Sequence, residues 1–227
     1  MKTLSIVHQG PDLVVVDKPW GLVSAGPPHQ IHGEAAPRQS VESLLAAQLG
    51  RKVWAIHQLD RMTSGLNAFA LKASAVHGWA ELLKVPGAKR YLAITHVVGR
   101  DVIAGQQEVV DLPLGERREA ATGKTFPAVV AADDPSAKVA RSRVRVVSVS
   151  GAFAKVEVIP ETGRTHQVRL HLAAIGMALV GEPIHRDPPC TLHPRHALHA
   201  AGLRLGELVL ASALPEDLVA LAGRLGL

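Results

Sequence analysis

Apolar and polar positions alternate along this chain in short runs that read as strands, with fewer stretches at helical spacing. Leu4–Val7 and Leu13–Val16 predict strands separated by a Gly10-Pro11-Asp12 turn. Lys18–Gly26 is broken by Pro19, Gly21 and Gly26 and predicts a loop, which the polar stretch Pro27–Arg38 continues. In Ser40–Leu49 the positions Val41, Leu44, Leu45 and Leu49 fall on one helical face, and Gly50 ends it. Leu66–Leu71 and Tyr91–Val98 predict strands flanking a helix around Ala75–Leu83, with Pro86-Gly87 turning the chain between helix and strand.

Residues 99–140 are less regular, with Gly105, Gly115, Gly123, Pro127 and Pro135 scattered among charges, and predict a hairpin with long loops extending from the main body. Val144–Ser150 and Phe153–Ile159 alternate and are joined by Gly151-Ala152, the signature of a second hairpin. His166–Ile175 carries Val168, Leu172 and Ile175 on a helical face stopped by Gly176. Leu198–Leu205 predicts a late strand, and Pro215–Leu225 a closing helix with Glu216 and Asp217 in its first turn, where negative charge suits the helix dipole. Strands and helices mix without strict βαβ alternation. The pattern therefore predicts an α+β fold, with neither linker nor repeat to divide it, and a single domain over residues 1–227.

Composition narrows the class. Hydrophobic residues make up 47% of the 227, enough to bury a substantial core, so a disordered tail protein is excluded. No apolar run approaches the roughly 18 residues of a membrane helix, and the start lacks a secretory signal, which makes the cytoplasm the expected location. The lone Cys190 cannot form an internal disulfide, in keeping with a reducing compartment. Twenty-five Lys and Arg against 20 Asp and Glu give a net charge of +5, a balance that suits a polyanionic partner.

Two segments carry candidate chemistry. In His57-Gln58-Leu59-Asp60-Arg61-Met62-Thr63-Ser64-Gly65 an acid stands beside an arginine and ahead of short polar residues that can bond the backbone and hold the carboxylate in place. A surface Asp-Arg pair in a turn would read the same way. In Gly163-Arg164-Thr165-His166-Gln167-Val168-Arg169, a helix starting at His166 would put Arg169 near the face of its first turn, where amides and guanidinium groups suit an anion. A solvated basic helix end is the plainer alternative.

Taken together, the two segments resemble the motifs of the RluA family of RNA pseudouridine synthases. Three further stretches match in order: Asp17-Lys18-Pro19-Trp20-Gly21-Leu22, Lys89-Arg90-Tyr91-Leu92-Ala93 and Arg195-His196-Ala197-Leu198-His199-Ala200. The resemblance runs from about Leu13 to Leu205. It implies an enzyme that isomerises a uridine of ribosomal or transfer RNA, with no cofactor, no metal, no membrane and no obligate protein partner, acting as a monomer. It also implies a central, largely antiparallel mixed sheet flanked by helices, with a basic cleft across it. Asp60 becomes the catalytic carboxylate, as nucleophile or as base at the sugar, with Tyr91 packed on the target base and Arg169 keeping Asp60 ionised. His57, Gln58, Arg61, Thr63, Arg164, His166 and Gln167 are the substrate-binding residues on this reading.

The chain departs from the family pattern in places. Gln58 stands where the family usually has arginine, and a shorter, uncharged side chain offsets less of the cost of extracting a base, so the expected target is an unpaired uridine. Glu182 and His185 stand where the family commonly has Asp and Tyr, and no role passes to them. Only about a dozen residues precede Leu13, so no separate N-terminal RNA-binding domain is expected. Two rivals stay open. One is an inactive RNA-binding protein of the same fold. The other is a metal site in Cys190, His193, His196 and His199, which recur every three residues among prolines that break any helix.

Overall fold

A computed structural model describes residues 3–26, 39–119 and 123–227. The stretch 27–38, expected to be loop, lies outside the described residues. In chain order the elements are β1 (Ser5–Gln9), β2 (Leu13–Lys18), α1 (Val41–Leu49), β3 (Trp54–Ala55), β4 (Ser64–Ala70), α2 (Val76–Leu82) and β5 (Lys89–Val97). There follow β6 (Gln107–Asp111), β7 (Leu114–Arg118), β8 (Thr125–Val129), β9 (Arg141–Ser150), β10 (Phe153–Pro160) and α3 (Gln167–Ala174). The chain closes with β11 (Met177–Leu179), β12 (Leu198–Leu205), β13 (Leu208–Ala211) and α4 (Glu216–Leu225). The class is α+β, as the pattern predicts.

The chain forms two compact units, Met1–Ala88 with His199–Leu214, and Lys89–Leu198 with Pro215–Leu227. In the first, β1, β2 and β4 pair antiparallel, β3 pairs antiparallel with β4, and β12 runs parallel to β4 and antiparallel to β13. The sheet is therefore mixed. β2 reads Leu-Val-Val-Val because both its faces are covered. Val14 and Val16 point to the core shared with Val41, Leu44 and Leu45 of α1, whereas Leu13 and Val15 point to a second core with Leu66, Ala68 and Trp79. α1 is bounded as its sequence asks. The Ser40 hydroxyl accepts the Ser43 N–H at 3.1 Å, the Ser43 hydroxyl returns the bond to Ser40, and Gly50 closes the helix at φ +64°.

The second unit is built on β5, β10, β9 and β6, all antiparallel, with β11 pairing β5. β9 alternates Arg141, Arg143 and Arg145 outward with Ser142, Val144 and Val146 inward. The outward arginines meet Glu157 and Glu161, and the inward valines pack with Val156, Val158, Leu172 and Met177. The region 99–140 differs from its expectation in one respect. β6 joins the main sheet of this unit against β9, and only β7 and β8 form the separate hairpin, which seats Leu114 and Val129 against Leu170 of α3. Among the described residues no helix is long and apolar enough to cross a membrane.

Candidate active site

Asp60 lies in the turn that leads into β4, and this turn is braced from inside the first unit. The Asp60 carbonyl accepts the Thr63 N–H at 3.0 Å, closing a tight turn, and Thr63 and Ser64 are buried. Gly65 follows at φ +111°, where a Cβ would stand 2.3 Å from the Ala200 carbonyl. Only glycine lets β4 and β12 approach this closely, so the Thr-Ser-Gly and Leu-His-Ala motifs meet as the parallel pairing of Ser64 with His199 and of Gly65 with Ala200.

That pairing supports a relay that runs from the buried Ser64 and His199 to the half-buried Ser212 and Asp17. Ser212 donates its hydroxyl to the Asp17 carboxylate at 2.6 Å, so its oxygen accepts from His199 Nε2 at 3.1 Å. His199 is thereby held in one tautomer, and its Nδ1 accepts from the Ser64 hydroxyl at 2.9 Å. Behind the same turn sits Lys18, with no exposed surface. Its ammonium donates to the carbonyls of Leu22 at 2.8 Å, Pro19 at 3.1 Å and Arg61 at 3.3 Å. The sequence singles out Lys18 only as part of a motif and His199 only as part of a motif and of the rival metal cluster; a buried ammonium placed against carbonyls is invisible until the chain is folded.

The remaining residues of this segment divide between solvent and scaffold. Gln58 is exposed. His57 is half-buried; its Nε2 accepts the Ala68 N–H at 3.2 Å and its carbonyl accepts from the Asn67 amide at 3.1 Å. Arg61 is half-buried and its Nε donates to the Gly21 carbonyl at 3.1 Å.

In the second unit, Tyr91 is half-buried on β5 opposite Val158 of β10 and packs on the core of that unit. Lys89 lies two residues earlier, on the same side of the strand, with Nζ close to Gly163, where a Cβ would meet it at 3.2 Å. Burial pushes the Lys89 ammonium pKa down. α3 begins one residue later than its pattern predicts. His166 takes a left-handed φ of +55° at the cap, the one described residue other than glycine to do so, and its Nδ1 lies 2.8 Å from His185 Nε2. Gln167 is buried and its amide is committed. Oε1 accepts from Thr162 at 2.7 Å and from the Arg164 N–H at 3.0 Å, and Nε2 donates to the Arg141 carbonyl and the Ser142 hydroxyl. Gln167 thus holds the loop that presents Arg164, which is exposed and bonded to the Val139 carbonyl.

Arg169 is buried and pairs with Glu182, a residue that carried no role in the sequence reading. Nε donates to Oε2 at 2.9 Å and Nη2 to Oε1 at 2.7 Å, a bidentate pair. Burial alone would raise the Glu182 carboxyl, but the bonds and charge of Arg169, with the N–H groups of Ile184 and His185, outweigh it and hold the pKa at about 2. Gly181 makes this possible: at φ +76° its missing Cβ would lie 2.0 Å from the Arg195 carbonyl. The proposed metal ligands serve elsewhere. His193 pairs with Asp217 at 3.2 Å, His199 belongs to the relay, and the described residues hold no group of three His, Cys, Asp or Glu side chains placed for a metal ion.

A family model described as RNA pseudouridylate synthase matches residues 12–174, well over half of the chain. The chain belongs to the RNA pseudouridylate synthase family. Among its relatives, the ribosomal large subunit pseudouridine synthase D of Nitrosomonas europaea is 34% identical over 96% of this chain, which spans 64% of that relative's length. The tRNA pseudouridine synthase C of Vibrio cholerae is 30% identical over 81% of this chain and 75% of its own. The solved structure of human RNA pseudouridylate synthase domain containing 4 superposes with a TM-score of 0.74 at 26% identity, covering 98% of this chain and 93% of that one. The resemblance carried by the five ordered motifs thus holds at the level of family and fold.

Proposed function

We propose that this member of the family isomerises a uridine of ribosomal or transfer RNA to pseudouridine, with the Asp60 carboxylate acting at the sugar. The observation that carries the reading is the braced turn that holds Asp60, in a chain whose match to the synthase family runs through it. The reaction breaks the N-glycosidic bond, turns the uracil and rejoins it through carbon 5, whose proton leaves. Atoms and electrons balance without any external group, so side chains suffice and no cofactor is required. Tyr91 offers an aromatic face to the base, a contact worth roughly 1–3 kcal/mol. Arg169 is the third catalytic residue on this reading, and Glu182 fixes the orientation of its guanidinium. Arg61, Arg164 and His166 are the polar contacts to RNA, and Gln58 faces the site left by the extracted base. The chain works as one catalytic domain, as a monomer, in the cytoplasm.

Asp60→Asn tests the reading. The amide is nearly isosteric but can act neither as nucleophile nor as base, so pseudouridine formation is expected to vanish while RNA affinity changes less than about twofold. Substantial turnover by the purified variant would remove Asp60 from the mechanism. A wild-type protein that binds RNA without forming pseudouridine would establish the inactive RNA-binding alternative instead.

A further inference from the structure

We propose that His185 is a positioning residue of the site: its ring clamps His166 at the start of α3 and so aims Arg169, an inference that rests on the function proposed above. Among the described residues other than glycine, only His166 has a left-handed backbone, with φ +55° and ψ +17°. A side chain in that region carries strain and persists only where its surroundings hold it. The helix start does not hold it by the usual means. An N-cap residue ordinarily stays extended and turns its side chain back to accept an amide of the first turn, and His166 makes no such bond. Its ring is engaged with His185 instead. Nδ1 of His166 lies 2.8 Å from Nε2 of His185, so one imidazole donates its N–H to the other, and the rings meet edge to face with centroids 5.0 Å apart.

His185 is itself fixed from behind. The Glu182 oxygen that receives Arg169 Nη2 at 2.7 Å also accepts the N–H of Ile184 at 3.1 Å and of His185 at 3.2 Å. One buried carboxylate thus sets both the guanidinium and the backbone that carries the His185 ring. The His166 carbonyl in turn accepts the Leu170 N–H at 2.9 Å, the bond that opens α3, and Arg169 stands in that first turn. The contacts close a circuit. It runs from Arg169 to Glu182, from Glu182 to the backbone of His185, from the His185 ring to the His166 ring, and through the first turn of α3 back to Arg169. Cutting it at the imidazoles leaves the buried ion pair in place but frees His166 to relax out of the left-handed region, which swings the turn that carries Arg169. A displacement of about 1 Å in a group that acts on the substrate can cost about a hundredfold in rate.

The test uses the full chain, with total cellular RNA as the substrate for turnover and hydrogen exchange at the Leu170 amide as the readout of the helix start. His185→Leu is expected to lower kcat about tenfold to a hundredfold, while RNA affinity, to which His166 is one contact among several, weakens less than about threefold. Leu170 exchange should quicken about tenfold with the amides of β9 and β10 unchanged, which a general loss of stability would not produce. His185→Gln, whose amide reaches about as far as Nε2, should return kcat and exchange to within about threefold of wild type. Glycine takes the left-handed turn unaided, so adding His185→Leu to His166→Gly should change Leu170 exchange by less than about twofold. In the wild type with isotope-labelled histidine, a magnetic coupling between the two ring nitrogens across the shared proton is expected, and this measurement needs no variant to fold. Wild-type kcat and exchange in His185→Leu, a His185→Gln protein as impaired as His185→Leu, an undiminished effect of His185→Leu in the His166→Gly background, or the absence of that coupling would overturn the proposal. The parent reading fails separately, if the wild type forms no pseudouridine in total RNA; the exchange and the coupling then decide the clamp by themselves.

Discussion

Glu182→Gln probes the buried pair that holds Arg169, and the structure sets the size of the effect. Both side chains are almost wholly removed from water, with relative exposures of 4% for Arg169 and 1% for Glu182. Glutamine preserves the shape but leaves a guanidinium buried without a counter-charge and turns one donor against another. Breaking such a pair by removing one partner costs about 3–5 kcal/mol. The depressed pKa of Glu182 gives a second figure. A fall from the ordinary 4.5 to about 2 is worth roughly 3 kcal/mol at about 1.36 kcal/mol per pH unit. For a protein of this size that is about 6–12 °C in Tm. The pKa is depressed on folding, so the contribution is complete above about pH 4.5 and drains away as pH falls toward 2. Calorimetric Tm values for wild type and variant should therefore differ most near neutral pH and converge in acid. Activity near neutral pH should fall with them, since Arg169 loses its fixed orientation. Glu182→Asp, which keeps the charge on a shorter stem, should lie between the two. A Glu182→Gln protein with wild-type Tm and turnover, or a gap that does not change with pH, would refute the reasoning.

Three further outcomes follow from other contacts. His199→Phe removes the centre of the Ser64–His199–Ser212–Asp17 relay and withdraws one hydrogen bond each from Ser64 and Ser212, at about 1–3 kcal/mol, so both Tm and kcat should drop while RNA affinity holds, as calorimetry and turnover assays will read. Asp217→Asn frees α4 from the buried Arg195, to which Asp217 bonds at 2.7 Å, and should lower Tm; although burial opposes it, Arg195 and His193 hold the Asp217 carboxyl below its ordinary 3.8, so in wild type this contribution is present above that pH and lost as the solution is acidified below it. RNA affinity should fall with salt by about 0.7–0.9 in log–log slope per phosphate contact, and charge removal at Arg117, Arg118, Lys124 or Lys138 should flatten that slope more than removal at Arg141 or Arg143, which already share Glu161.

The fold was legible wherever burial imposes a period. β2 and β4 read as strands because both faces are covered, β9 because arginines and valines alternate, and α1 because Ser40 and Gly50 mark its ends. The strands that escaped notice are those whose existence depends on a neighbour. β3 has two residues and β11 three, too few to show any period, and each forms because an edge of β4 or β5 is there to be paired. β6 reads Gln-Glu-Val-Val-Asp, and its two charges answer partners elsewhere in the chain, Glu108 pairing with Arg100 and Asp111 with Arg141 across the ladder.

The site divides along the same line, between what is local and what folding brings together. Asp60, Tyr91 and Arg169, the catalytic residues proposed above, stand in motifs that are short and contiguous. Glu182 could not, because it reaches Arg169 only where Gly181 lets the backbone close on Arg195, and nothing in Pro183–Pro189 announces that approach. Motifs also merge two kinds of residue. Gln167 and His57 stand in the same strings as Arg164 and Gln58, yet the Gln167 amide is fully taken up by Thr162, Arg164, Arg141 and Ser142, and His57 caps a β4 amide. Their hydrogen bonds are spent on the turns that carry the exposed Arg164 and Gln58. Which side chains can touch a substrate is decided by which donors and acceptors the backbone has already claimed, and that is a property of the fold that adjacency in sequence does not carry.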